Sequence, residues 1–358
     1  MARHRAPPPE QECDRIDGFA HPRDTFTLEG QGAALAHAAR ALRAGRAPGG
    51  WLLCGPPGTG KATLAYRIAR YVLAHGANDG GPEDLGMDPQ DPVARQISAR
   101  GHPGLLVLRR PVNPRSGKLM GVLPVEEIRR LDDFFGMTAG AQNGWRVAII
   151  DTADDMNDHA ANALLKRLEE PPAGALLLLL SNTPGRLLPT IRSRCQRLTL
   201  RPLNDGVMNR LLAHHLPDMD TGERAGLVHL AGGSIGAALT LASGDGALLA
   251  QEATRLIDAA ATPDVPAILA LGDRLKGTDD GLEQFGAFLT ENLAARIRAR
   301  AAGGAGGLER WLRLLARLES GFARSGALNL EPRQTVLSAA RDLAAVTRGA
   351  AAHKEETL

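Results

Sequence analysis

The chain has 358 residues, enough for two or three domains at about 150 residues each. Apolar residues make up 44% and charged residues 23%, a globular balance that excludes wholesale disorder, collagen and coiled coil. The formal net charge is +2, from 42 basic and 40 acidic side chains, too even for a protein that coats polyanions.

Aromatic residues are sparse at 3%, while Ala, Leu and Arg abound, so helical cores of small and branched side chains are expected. The three cysteines, Cys13, Cys54 and Cys195, lie far apart in sequence and support neither a disulfide framework nor a four-thiolate zinc site. No apolar leader opens the sequence, and no run of about 18 apolar residues occurs. A soluble, cytoplasmic protein with no membrane partner is expected.

In chain order, residues 1–18 read as a Pro-rich, charged, disordered tail. The run QGAALAHAARALRAG has helical spacing and stops at Gly45. Trp51 to Cys54 is a short apolar strand between GG and GPPG, as expected of a strand covered on both faces. KATLAYRIARYVLA is the next helix, with Leu64, Ile68 and Tyr71 or Val72 on one face. Residues 76–103, heavy in Gly, Pro and Asp, read as a surface excursion without a core element.

A strand is predicted at Leu105 to Leu108, a helix from Pro124 to about Phe135, and a buried strand RVAII ending at Asp151. Asn157 or Asp158 caps the helix ANALLKRLEE, which Pro171 and Pro172 stop. Leu176 to Leu180 forms a further apolar strand that delivers Ser181 and Asn182 to the same sheet edge. Alternating strands and helices define an α/β domain over 19–202 with a parallel sheet. Beyond it only helices are predicted: a small domain at 203–246 and a larger one at 250–350. The stripes Leu282, Phe285, Leu289, Leu293 and Trp311, Leu315, Leu318 read as its core.

The residues that carry chemistry begin with GPPGTGK, Gly55 to Lys61, set between a strand and a helix as a phosphate-binding loop requires. Gly55, Gly58 and Gly60 allow the backbone around Thr59 to aim N–H groups at an anion, and Lys61 neutralises the outer phosphates. The hydroxyl expected next, which would hold magnesium, is replaced by Ala62, and Thr63 lies about 100° further round the helix. Asp151 occupies the place of the second magnesium-holding carboxylate, and Asn182 completes the nucleotide-binding set. The residue after Asp151 is Thr152, whose hydroxyl has no useful basicity and cannot activate water. Asp154 and Asp155 read as a polar turn.

Taken together, GPPGTGK, NALLKRLEEPP and TIRSRC resemble the AAA+ subunits of the bacterial DNA polymerase III clamp loader, over roughly residues 19–245. The resemblance implies a P-loop domain at 19–202, a helical lid at 203–246 and a collar at 250–350. It also implies a role for Ser193, Arg194 and Cys195, whose arginine projects in trans toward ATP held by the neighbouring subunit. A planar, permanent guanidinium suits that task. Hydrolysing members carry a lid arginine in a Gly-Ser-x-Arg stretch; here it reads Gly233, Ser234, Ile235, Gly236. Many members carry a four-cysteine zinc module near 76–103, which this chain lacks, so no zinc is expected.

The expectation is therefore a non-hydrolysing stator subunit, an accessory of the DNA-directed DNA polymerase holoenzyme, with ATP bound and not cut and magnesium left open. The implied partners are the gamma/tau motor subunits and the delta subunit in a hetero-pentamer. Through that complex come the sliding clamp and primed DNA, gripped by backbone phosphates without sequence readout. The alternative is an active AAA+ ATPase, such as a loader motor subunit or a helicase loader. Loss of base, magnesium hydroxyl and lid arginine together weighs against it. A small-molecule P-loop kinase would leave the helical C-terminal half without a role. Arg109, Arg110 and Arg115 read as a solvated loop.

Overall fold

Buried strands whose residues alternate between two helical layers organise the first half of the chain. The computed structural model describes residues 15–16, 18–45, 49–78, 80–113, 119–136, 144–243, 246–276, 281–303, 307–328 and 330–355. Most of the expected tail, with Cys13, and also Arg115 lie outside those residues. The chain divides into two compact units, residues 1–239 and 240–358, with the division inside one helix.

The sheet of the first unit has five strands: β1 (Gly50–Cys54), β2 (Leu105–Arg109), β3 (Arg146–Asp151), β4 (Ala175–Ser181) and β5 (Gln196–Thr199). Their order is β2-β3-β4-β1-β5 and every pairing is parallel. Cys54 lies beside Ser181 and Thr199, and Arg109 beside Asp151, so the strand C-termini share one edge.

Successive strand residues point to opposite faces. Trp51 and Leu53 accordingly enter one core, with α1 (Gly32–Arg43) and α2 (Lys61–His75); Leu52 and Cys54 enter the other. That second core is closed by α4 (Val125–Gly136) and α5 (Asp158–Glu169). The five leucines Leu176 to Leu180 are all buried, each worth about 1.5–3 kcal/mol relative to exposure. Asn157 caps α5 by accepting from the Ala160 N–H, which settles the choice between it and Asp158.

Three readings need correction. The segment after residue 76 is not a mere surface excursion: it holds α3 (Pro92–Ser98), capped by Asp91, and it buries Leu85, Val93, Ala94 and Ile97 in the core. Its apolar residues are too few and too spread among Gly, Pro and Asp to show a period. Helix α2 is buried around its whole circumference, not on one face, because Arg67 and Arg70 are themselves covered. Arg70 donates to the carbonyls of Arg23 at 2.9 Å and Thr25 at 3.0 Å and lies over the Phe26 ring. Burial lowers its pKa to about 10. Arg67 donates to the Phe26 carbonyl and pairs with Asp84. Lastly, β5 and the short helix α6 (Pro189–Arg194) were not predicted; β5 is an edge strand in which only Leu198 is buried.

Helices α7 (Asp205–His215) and α8 (Thr221–Ala231), capped by Asn204 and Asp220, follow, and α9 (Ile235–Ala242) runs across the division between units. The second unit contains α10 (Gly246–Asp258), α11 (Val265–Lys276), α12 (Gly281–Ala302), α13 (Leu308–Leu328) and α14 (Pro332–Glu355). Both predicted stripes pack into its core: Phe285, Leu289, Leu293, Trp311 and Leu318 are buried, with Leu282 and Leu315 partly so. Gly286 makes room for Phe322, since a methyl group there would lie 2.6 Å from its ring. Among the described residues no helix is long and apolar enough to cross a membrane.

Candidate functional site

The loop that follows β1 has the backbone a phosphate cradle needs. Gly58 and Gly60 adopt φ of +67° and +94°, which side chains disfavour, and a methyl group on Gly55 would lie 2.5 Å from the Leu200 carbonyl oxygen. Helix α2 starts at Lys61, and its N-cap is Gly60, which has no side chain to satisfy the N–H groups of the first turn. Lys61 is buried, and its ammonium donates to the carbonyls of Gly55 at 2.9 Å and Pro56 at 2.7 Å. Thr59, also buried, donates its hydroxyl to the Pro56 carbonyl. Sequence reasoning missed Gln31, which has no motif around it: its amide donates to the carbonyls of Thr59 and Arg201 and accepts from the Arg201 N–H.

These groups fit a phosphate anion. They do not fit a magnesium ion held by a loop hydroxyl, because the Ala62 side chain carries none and packs against the core. Thr63 stands beside it, partly buried.

Asp151 ends β3 and is buried, and Asn182 follows β4, the strand between β3 and β1, so the sheet brings both to the edge that carries the loop. The residue that follows Asp151 is Thr152. The Thr152 hydroxyl donates to Asp155 at 2.9 Å. Asp155 also pairs with Arg110 at 3.2 Å, and burial raises its pKa. Asp154 accepts from the Ser181 hydroxyl at 2.6 Å and from the N–H groups of Asn182 and Thr183, fixing the exit of β4. Both acids therefore hold the turn together, as the sequence suggests. Arg109 reaches the Tyr66 hydroxyl at 3.4 Å.

Arg194 stands apart from all of these. It ends α6, two residues before Gln196, which pairs with Trp51 at the start of β1, while the phosphate loop leaves β1 after Cys54. The two lie at opposite edges of the sheet, separated by the length of β1, about 16 Å at 3.3 Å per residue. The side chain is 37% exposed, pairs with Glu169 at 2.8 Å and donates to the Thr190 carbonyl at 3.1 Å. Glu169, the last residue of α5, was not singled out from the sequence. Ser193 donates to the same carbonyl. Cys195 lies beneath, its thiol pushed up to about 12 by burial, with Cys54 adding to the shift. Among the described residues no group of three or more His, Cys, Asp or Glu could hold a metal.

A parallel sheet of this order, a phosphate loop after β1, an aspartate ending β3 and polar residues after β4 define an AAA+ P-loop fold. The family model described as DNA polymerase III, delta subunit, matches residues 30–204. The subunit delta prime of DNA polymerase III from Pseudomonas aeruginosa is 35% identical over 184 residues, covering 51% of this chain and 52% of that protein. The Escherichia coli subunit delta prime is 33% identical, covering 57% of each. Subunit gamma/tau of Mycobacterium tuberculosis is 32% identical over 181 residues, covering 48% of this chain and 28% of that one. A gamma-subunit-related protein of Thermotoga maritima aligns over 88% of this chain and 98% of its own, at 17% identity and a TM-score of 0.41. Over residues 30–204 the chain is therefore similar to the DNA polymerase III subunits of the clamp loader, and delta prime subunits are among its relatives. It spans about half the length of the delta prime relatives it matches.

Proposed function

We propose that the protein is the non-hydrolysing delta prime subunit of a DNA polymerase III clamp loader, a stator that donates Arg194 to ATP bound by the adjacent subunit. The observation that carries this reading is the separation within the sheet. Arg194 is at the edge opposite the chain's own phosphate loop and is more than a third exposed, so it serves a phosphate only if a second protein brings one. A guanidinium offers planar donors and a permanent charge to the charge that spreads over a transferring phosphoryl group.

The chain's own loop supports binding without cleavage. Gly55, Gly58, Thr59, Gly60 and Lys61 would hold the phosphates, with Ala62, Thr63, Asp151 and Asn182 beside them. A bound ATP would supply only charge and shape there, since Ala62 has no hydroxyl for magnesium and Thr152 is no base. In this reading α7–α9 form a lid and α10–α14 a collar through which the chain joins gamma/tau and delta subunits in a hetero-pentamer. That assembly acts on the sliding clamp and on primed DNA, in the cytoplasm, as an accessory of the DNA-directed DNA polymerase.

The test is Arg194→Ala in a reconstituted loader. DNA- and clamp-stimulated ATPase is expected to fall, by about 10³-fold or more at the one site served, diluted in the total by the other sites. Unchanged turnover removes the trans role. For the chain's own loop, titration with a fluorescent ATP analogue is expected to saturate without phosphate release, and no saturable signal up to millimolar concentration rejects retained binding.

A further inference from the structure

We infer that the start of α9 is clasped to the phosphate loop through the backbone, with Gly58 and Gly236 as the two halves of the joint, so that its seating needs no bound phosphate. The Gly236 N–H donates to the Gly58 carbonyl at 3.3 Å. A methyl group built on Gly236 would lie 2.9 Å from the Gly58 Cα. One built on Gly58 would lie 2.2 Å from the Ser234 hydroxyl oxygen and 2.8 Å from the Gly236 nitrogen. Each glycine therefore excludes a side chain from the other, and Gly58 also has a left-handed φ.

The turn before α9 is fixed from its other side as well. The Gly233 carbonyl accepts from the Leu203 N–H at 2.8 Å, and a methyl group on Gly233 would lie 2.6 Å from the Leu203 carbonyl oxygen. Buried Ser234 caps α9 by accepting from the Ala237 N–H. Residues 233–236 are thus held between the phosphate loop and the chain that follows β5.

The consequence concerns response to nucleotide. A ligand shifts a conformational equilibrium only as far as it contacts the two states differently. Gly236 has no side chain with which to make such a contact. Nor is the position a gap that an arginine could refill, because any side chain there meets the Gly58 backbone while the joint is closed. The glycine is the fitting that seats the helix. Nothing in this joint depends on the trans role of Arg194, so the ATPase of a reconstituted loader and the behaviour of the joint can fail separately.

Hydrogen–deuterium exchange of the full chain tests it, read on peptides from residues 232–242 with and without magnesium and the thiotriphosphate analogue of ATP. In the natural chain these amides are expected to be protected, with rates unchanged to within about twofold on adding the analogue. Gly236→Ala and Gly58→Ala are each expected to speed exchange there by about tenfold or more. Gly185→Ala, at a position with open space around it, is expected to leave exchange unchanged. Fast exchange in the natural chain, slowing of about tenfold by the analogue, or protection kept in Gly236→Ala would each overturn the inference. Should both joint variants lose protection in the β4 peptides as well, and so fail to fold, the natural chain with and without the analogue decides alone.

Discussion

The two edges of the parallel sheet differ in what holds their polar groups. At the C-terminal edge the loop Gly55 to Lys61 is knitted inward: its lysine and threonine bond its own carbonyls, Gln31 ties it to residue 201, and Gly236 ties it to α9. At the N-terminal edge Arg194 is held by a partly exposed ion pair with Glu169 and by the Thr190 carbonyl and Ser193 hydroxyl of its own helix turn. Buried, mutually satisfied polar groups are costly to disturb, whereas a surface pair contributes about 0–1 kcal/mol. The difference teaches that the residues of the phosphate loop now carry much of the local stability, while the arginine contributes little to the fold and is available for work elsewhere.

Substitutions on either side break or sharpen that contrast. The largest stability loss is expected for Asp154→Ala, about 2–3 kcal/mol by thermal or denaturant unfolding, since three donors from Ser181, Asn182 and Thr183 lose one carboxylate. A loss below about 0.5 kcal/mol would mean that water replaces the acid readily and the β4 exit is not held by it. Lys61→Met is expected to cost about 1.5–3 kcal/mol, because it leaves the Gly55 and Pro56 carbonyls without their charged donor. A lysine kept only for nucleotide would instead leave stability level or raised.

On the opposite edge, Glu169→Gln is expected to change stability by less than about 1 kcal/mol, with the residual effect fading as salt is raised. A salt-independent loss larger than that would place Arg194 among the structural residues. The smallest effect concerns Cys195. With its pKa near 12, four units above pH 8, about one thiol in ten thousand is ionised there. In a Cys13→Ser chain neither Cys54 nor Cys195 should then react with a disulfide reagent at pH 8 until the protein is unfolded. Prompt reaction of Cys195 would show that this edge opens in solution.

Much of this arrangement was legible in the sequence. The strands Trp51 to Cys54, RVAII and Leu176 to Leu180 announce themselves because strands covered on both faces are continuously apolar, and the glycine loop between strand and helix gives its own context. What the residues could not show was placement by long-range bonds. Arg67 and Arg70 look like the polar side of an amphipathic helix, but they are buried against the carbonyls of residues 23–26 and against Asp84. Strand β5 lacks an apolar pattern because it lies at an edge, and Gln31 stands in no motif because its partners are 28 and 170 residues away. The Gly-Ser-Ile-Gly stretch is readable as a lost arginine, whereas its contact with Gly58 needs coordinates.

The contrast is tested most directly by steady-state ATPase of one reconstituted loader assembled in parallel with the natural chain, Lys61→Met or Arg194→Ala. Loss of DNA-stimulated turnover with Arg194→Ala, and turnover kept to within about twofold with Lys61→Met, is the predicted result. Full turnover with Arg194→Ala together with its collapse with Lys61→Met would contradict the account.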